Sequence, residues 1–268
     1  MSEVNQERRH ATDVEFTYEN VVAICPWCGQ RNIYNRVSDL RDTEPIAHRE
    51  VTCLAPDCQK RLIITGDSIN AAYEMLVFDS YRLQEEKRYS SCILNLAQSF
   101  EAFFALFLRV EVLYRPFAAD QDHDLSHFNE LAAALFGKVR RFAFQDMRNL
   151  FLRRVLDKAP LASLEAAAEW IESLDGKPAG PVDAEIQSLP DRELSALLLR
   201  LKQCRVAEVR NQVVHKAAYR PTLQEVEDAP RETREILFSL AARLRLHGDD
   251  LNWYGCRSHE ILHHHVGL

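Results

Sequence analysis

The chain lacks three features that would place it in a class at once. It has no apolar run of the roughly 18 residues that a membrane crossing needs, and its opening segment, MSEVNQERRHATDVEFTYEN, is too polar for a signal peptide. It also has no excess of positive charge: 33 Lys and Arg against 40 Asp and Glu give a net charge of −7. The first two absences lead us to expect a cytoplasmic protein that does not engage a membrane. The third means that any nucleic-acid site is local, since the molecule as a whole does not attract phosphate. Internal repeats and low-complexity tracts are missing too, so a solenoid is not expected. What is present is 268 residues with 47% hydrophobic content, enough for one substantial core and a small second module.

The seven cysteines fall into two groups. Cys92, Cys204 and Cys256 are single, whereas Cys25, Cys28, Cys53 and Cys58 come as two close pairs near the N-terminus. The stretch VVAICPWCGQRNIY sets a β-rich run on each side of Cys25-x-x-Cys28, and Gly29 permits the positive φ of a tight turn. EVTCLAPDCQKRLIIT repeats the scheme with four residues between Cys53 and Cys58. Four thiolates close a tetrahedral site with no open position, so a metal bound there holds the module together and does not catalyse. The alternative is a cluster of free buried cysteines.

This pattern resembles the zinc ribbon family over residues 20–66, after an N-terminal extension, 1–19. The second knuckle departs from the usual two-residue gap. The resemblance implies one structural zinc per chain. Such modules bind nucleic acid, bind a protein partner or brace a neighbour, and Trp27, Arg31, Tyr34 and Arg36 are candidate exposed contacts.

From Asp67 the texture becomes helical. SINAAYEMLVFDSYRLQEEKRYSSCILNLAQSFEAFFALFLRVEVLYRP reads as two helices, the second packed through Leu94, Phe100, Phe103, Phe104, Phe107 and Leu108, with Pro116 as its stop. Further helices are expected over HFNELAAALF, KVRRFAFQDMRNLFLRRVLDKA, LASLEAAAEWIESL and RETREILFSLAARLRL, and DGKPAGPVD reads as a loop. Between them, PDRELSALLLRLKQCRVAEVRNQVVHKAAY reads as one helix from Asp191 to Tyr219. Pro221 prevents its continuation, and Thr222-x-x-Glu225 is a capping box for the next. A tail, 248–268, follows. The fold class expected is mainly α, with a small N-terminal β module.

Arg210, Asn211 and His215 thus lie near a helix C-terminus. At about 100° per residue, Asn211 and His215 share a face, while Arg210 sits about 140° from His215 across an apolar stripe of Leu194, Leu198, Leu201, Val209 and Val213. A second copy packed about a two-fold axis would bring an Arg and a His from each subunit into one cleft.

Arg210-Asn211-x-x-x-His215 at a helix end, followed by Tyr-x-Pro-Thr, resembles the HEPN family of all-helical nucleotide-binding and ribonuclease domains, over residues 67–247. The resemblance implies a homodimeric, metal-independent endoribonuclease, with roles in RNA-directed toxicity or anti-phage defence. The chemistry fits the residue types. An imidazole titrates near neutrality and can take or give a proton. A guanidinium clamps a phosphate in two-toothed fashion and gains strength as charge builds on it. Asn211, one turn away, is expected to orient the imidazole of His215. The competing readings are a HEPN-like module that only binds nucleotide, RNA or a protein, with the zinc ribbon as an adaptor, and a merely structural Arg210 and His215.

Two basic stripes favour RNA as the partner. One lies between Lys138 and Lys158 and includes Arg140 and Arg141; the other lies between Arg200 and Arg220 and includes Arg205, Lys216 and Arg220. Solvated helix faces are the plain alternative. Arg148-Asn149 begins like a second copy of the motif, but position 153 is Arg. HEILH, residues 259–263, fits the H-E-x-x-H signature of zinc proteases. The following HHVGL offers no third ligand on the same helical face, so we read the match as accidental. His123 and His127, among Asp120, Asp122 and Asp124, read as a polar capping loop.

Overall fold

A computed structural model describes residues 20–40, 49–64, 71–119, 125–157 and 159–246. It has the expected class: two β-hairpins in the N-terminal module and helices thereafter. His123, the acidic residues beside it and the HEILH segment lie outside the described residues.

Strand β1 (Asn20–Ile24) pairs antiparallel with β2 (Arg31–Asn35), Val22 facing Ile33. Strand β3 (Arg49–Thr52) pairs with β4 (Arg61–Ile64), Val51 facing Leu62. Alternation decides the buried faces: Val21 and Tyr34 from one hairpin share a small core with Ile64 from the other and with Leu40. Tyr34 is therefore buried, with its hydroxyl donating to Thr52 O at 2.8 Å, and is not the exposed contact expected. Trp27 is 63% exposed, but its indole N–H donates to Arg61 O at 3.1 Å and Lys60 Nζ lies 4.9 Å from the ring centre, so it ties one knuckle to the other.

The helical part begins with α1 (Ala72–Glu85) and α2 (Tyr89–Leu108), an antiparallel pair. Helix α2 does not stop at Pro116. It runs into a π-helical stretch, Arg109–Tyr114, and then α3 (Arg115–Ala119), where Pro116 sits in the first turn, a position that tolerates a missing N–H. Over Tyr89–Ala119 the chain is long and apolar enough to cross a membrane by composition, contrary to the expectation above; most of it is buried as the central core helix. Scattered Ser, Asn and Gln interrupt the run without making it polar. Then come α4 (Leu125–Val139), α5 (Phe144–Leu156), α6 (Leu164–Ser173), α7 (Asp183–Gln187), α8 (Arg192–Gln203), α9 (Val206–His215), α10 (Leu223–Val226) and α11 (Ala229–Leu244).

Aromatic rings lock α2 into place. Phe151 of α5 meets Phe103, Phe104 and Phe107 at centroid distances of 5.7, 5.1 and 4.7 Å, and Phe144 meets Phe100 at 5.9 Å. Leu94, expected on this buried face, is 36% exposed instead.

The expected single helix from Asp191 to Tyr219 is two. Asp191 does cap α8, accepting from the N–H groups of Glu193 and Leu194, but the chain turns extended at Cys204 (φ −59°, ψ 128°) before α9 begins. The apolar phase slips there. After Leu198 and Leu201 the next inward position of a continuous helix is 205, an exposed Arg, whereas the buried residues are Cys204, Val206 and Val209. Burying Cys204 and Val206 together requires the break.

Candidate functional site

The four paired cysteines meet at one point. Their Sγ atoms all lie within 4.8 Å of one another, with Cys25 to Cys58 at 3.8 Å and Cys28 to Cys53 at 3.7 Å. Tetrahedral thiolates bound at about 2.3 Å to one ion sit about 3.8 Å apart, so the donors fit a four-thiolate metal ion. Both knuckles are built alike. Cys25 N–H bonds Gln30 O and Gly29 N–H bonds Cys25 O; in the second, Cys53 N–H bonds Lys60 O and Gln59 N–H bonds Ala55 O. Gly29 has φ +73°, as the turn requires, and Gln59 takes the equivalent left-handed position with φ +48°. Sequence reasoning missed Asn32, which is buried and joins the two loops: its amide N–H donates to Gln30 O at 2.9 Å and its oxygen accepts from Leu54 N–H at 2.6 Å.

The second cluster is set by the end of α9, and His215 is its last residue. The chain then turns through Ala218, at the left-handed φ of +58°. The Tyr-x-Pro-Thr flank fixes that turn. Tyr219 donates its hydroxyl to Glu225 at 2.5 Å, and Glu225 in turn accepts from Thr222 N–H at 2.8 Å in the expected capping box of α10. The Thr222 N–H, followed by Tyr219, holds the Glu225 carboxyl below the usual range. The flank is thus a clasp that ends the helix at the site.

Arg210 is half-buried, while Asn211 and His215 are exposed. Arg210 Nη1 donates to Asn211 Oδ1 at 3.2 Å, so Asn211 faces the guanidinium; among the described residues no hydrogen bond joins it to His215. Arg210 has no carboxylate at ion-pairing distance among the described residues. A nearby acid exists, however: Glu101 of α2, half-buried, has its pKa raised by burial and partly pulled back by the field of Arg210. Glu101 was missed in the sequence. Its signal is that it is the one charged residue in the twenty-residue helix Tyr89–Leu108.

Arg205, Lys216 and Arg220, expected to bind RNA, are all exposed around this helix end. Arg205 makes only a loose pair with Glu208 at 3.5 Å, Lys216 lies over Tyr219, and Arg220 donates to Tyr219 O.

The other basic stripe is mostly engaged in building the fold. Lys138 caps the end of α6 through the carbonyls of Ile171, Glu172 and Leu174 at 2.7, 3.1 and 3.0 Å. Arg148 bonds Lys202 O, and Arg153 bonds Ala179 O, Gly180 O and Glu185. Arg154, with a side chain 1% exposed, reaches Asp157 at 3.0 Å, Ala159 O at 2.9 Å and Glu111 at 3.7 Å. Arg140 and Arg141 remain exposed in the turn between α4 and α5.

Compared with models of known families, with curated proteins and with solved structures, the chain matches none. Its functional reading therefore rests on these residues and their chemistry.

Proposed function

We propose that the helical part is a metal-independent endoribonuclease of HEPN type, acting at a site shared between two copies of the chain, and that the cysteine cluster binds one structural zinc. The observation that carries the first part is the half-buried Arg210, held by a neutral amide and unpaired with any carboxylate among the described residues, with an exposed His215 at the end of the same helix. A guanidinium in that state is available to an incoming phosphate. In the reaction the ribose 2′-hydroxyl attacks the adjacent phosphorus and the 5′-oxygen leaves, giving a 2′,3′-cyclic phosphate and a 5′-hydroxyl. One His215 takes the proton of the attacking hydroxyl and the His215 of the second copy returns one to the leaving oxygen. Arg210 stabilises the charge that builds on the phosphorane, so no step needs a catalytic ion. Arg205, Lys216, Arg220, Arg140 and Arg141 are assigned to the RNA backbone. A role in toxicity or phage defence rests on the family resemblance.

Zinc is the metal assigned because four thiolates at tetrahedral spacing suit it, and the site leaves no open position. Protein purified without chelator and denatured with a colorimetric indicator is expected to release one zinc per chain. A metal content near zero removes this assignment. Because the hairpin cores and the helical core are separate clusters, stripping the metal is expected to unfold the hairpins while the helical circular-dichroism signal persists.

A second reading, a non-catalytic adaptor, is favoured by one observation: Ile24, Leu54 and Ile63 of the hairpin module are 70%, 55% and 48% exposed, apolar surface of the kind that meets a protein partner. The test between the two is cleavage. Total RNA incubated in chelator that spares the four-thiolate site is cut by a nuclease and left intact by an adaptor.

A further inference from the structure

An open groove of about 370 Å³ lies between α1 and α2, lined by Asp79, Arg82, Arg88, Ser91, Leu94, Asn95 and Gln98 among others. Its size falls within the range of small-ligand sites, which run from about 300 to 1,000 Å³. Two properties bear on what it could hold. The side chains of Ser91, Asn95 and Gln98 hydrogen-bond to no protein group among the described residues, so their donors and acceptors are open to a ligand in the groove. And Leu94, apolar and 36% exposed, lies among them where the sequence pattern alone would bury it. Amides that offer a donor and an acceptor side by side, next to an apolar contact, match the hydrogen-bonding edge and the flat face of a nucleobase.

The position of the groove ties it to Arg210. Ser91, Leu94, Gln98 and Glu101 follow one another at spacings of three, four and three along α2, with Asn95 next to Leu94, so they lie on one stripe of the helix. From Asn95 to Glu101 is about 9 Å along the axis, and from Gln98 about 4.5 Å. Glu101 is the residue that feels the field of Arg210. Helix α9, which carries Arg210, packs against α2, so a strand whose base occupied the groove could run along this stripe toward the phosphate assigned to Arg210. Among the described residues Arg82 and Arg88, both exposed, have loose ion-pair partners, Asp79 at 3.6 Å and Glu86 at 3.5 Å, and flank the far end. They are free to exchange these for a phosphate on the next nucleotide.

We propose that this groove is a base-recognition subsite for single-stranded RNA, with Asn95 and Gln98 reading the edge of a nucleotide next to the scissile phosphate and Leu94 supporting its face. The inference rests on the RNA-cleaving reading and adds where sequence preference arises.

The test uses binding, so that it does not depend on turnover. In a His215→Ala background, the affinities of fluorescein-labelled oligomers of A, C, G and U are measured by anisotropy at several salt concentrations. The groove predicts a spread of about 10-fold to 100-fold between best and worst base. Adding Asn95→Ala and Gln98→Ala reduces the spread to within about 3-fold with the salt slope unchanged, since no phosphate contact is lost. Both residues are exposed or half-exposed, and an unaltered melting temperature confirms folding. A spread that survives the double substitution, or equal affinities from the start, overturns the subsite. Absence of any RNA binding overturns both the subsite and the RNA reading. Failure of the nuclease reading alone shows differently: the parent chain, with His215 intact, binds with base preference but does not cleave.

Discussion

Two helices of the domain carry the same dipeptide, Arg148-Asn149 on α5 and Arg210-Asn211 on α9, and use it in opposite ways. On α5 both side chains reach outward to other segments. Arg148 bonds Lys202 O at 3.1 Å, Asn149 bonds Pro178 O at 3.0 Å, and Arg153 completes the attachment of the loop before α7. Gly180 of that loop comes so close that an added Cβ would lie 2.8 Å from Asn149 Oδ1. On α9, among the described residues, the same two side chains bond only each other, with His215 exposed one turn further on. The difference comes from what packs alongside. The loop 174–182 brings a row of backbone carbonyls to α5 that need donors. At the end of α9 Tyr219, Thr222 and Glu225 bond one another, and among the described residues neither Arg210 nor His215 bonds that turn. Basic residues in a stripe are therefore poor evidence for a nucleic-acid track until their partners are known.

The sharpest way to break the contrast is to remove a side chain from each half and compare stability. Arg154→Ala deletes a buried cation from beside Glu111 and Asp157 and is expected to cost about 3–5 kcal/mol, read as a large fall in the denaturation midpoint. Arg210→Ala and Asn211→Ala, in contrast, are expected to stay within about 0.5 kcal/mol of the parent. A severe loss of stability on Arg210→Ala would place that residue with the structural cations.

A smaller effect sharpens the α5 half. Gly180→Ala forces Asn149 aside and is expected to destabilise by about 1 kcal/mol or more. In an Asn149→Ala background the added methyl has room, so the penalty of Gly180→Ala should largely vanish. A double-mutant cycle that is simply additive would show that the close approach has no energetic consequence.

The smallest effect concerns Glu101. Burial raises its folded pKa, with Arg210 opposing, so the protonated carboxyl contributes stability that is fully present below the ordinary carboxylate range and lost as pH rises through the folded pKa. Glu101→Gln should thus melt slightly higher than the parent near neutral pH, with the difference closing as pH falls below about 4. A lower melting temperature at neutral pH would mean that the pair with Arg210 outweighs the cost of burial.

The parts of this architecture that depend on local pattern were legible in the sequence. Paired cysteines, the capping box at Thr222 and the N-cap at Asp191 each rest on spacing within a few residues, and each is found in place. Pro116 and the α8–α9 break were misread because tertiary burial overrode local signals: the π-helical stretch accommodates the proline, and burying Cys204 with Val206 breaks an otherwise helical run. Within the site, the position of Arg210, Asn211 and His215 at a helix end could be read from periodicity and the proline beyond. That Asn211 faces Arg210 could not, since an exposed amide has several acceptable rotamers. Glu101 is more than a hundred residues from Arg210, and only the packing of α2 against α9 brings them together.

The central claim is that the end of α9 is chemically active while its counterpart on α5 is structural. It is tested most directly by single-turnover cleavage of RNA by the parent, His215→Ala and Arg210→Ala chains, in chelator that leaves the four-thiolate site intact, with fragment ends identified. The account predicts cleavage by the parent to 2′,3′-cyclic phosphate ends, a loss of about 10²–10⁴-fold in rate for each variant, and melting temperatures close to the parent's. Cleavage by the His215→Ala chain at the parental rate would contradict it.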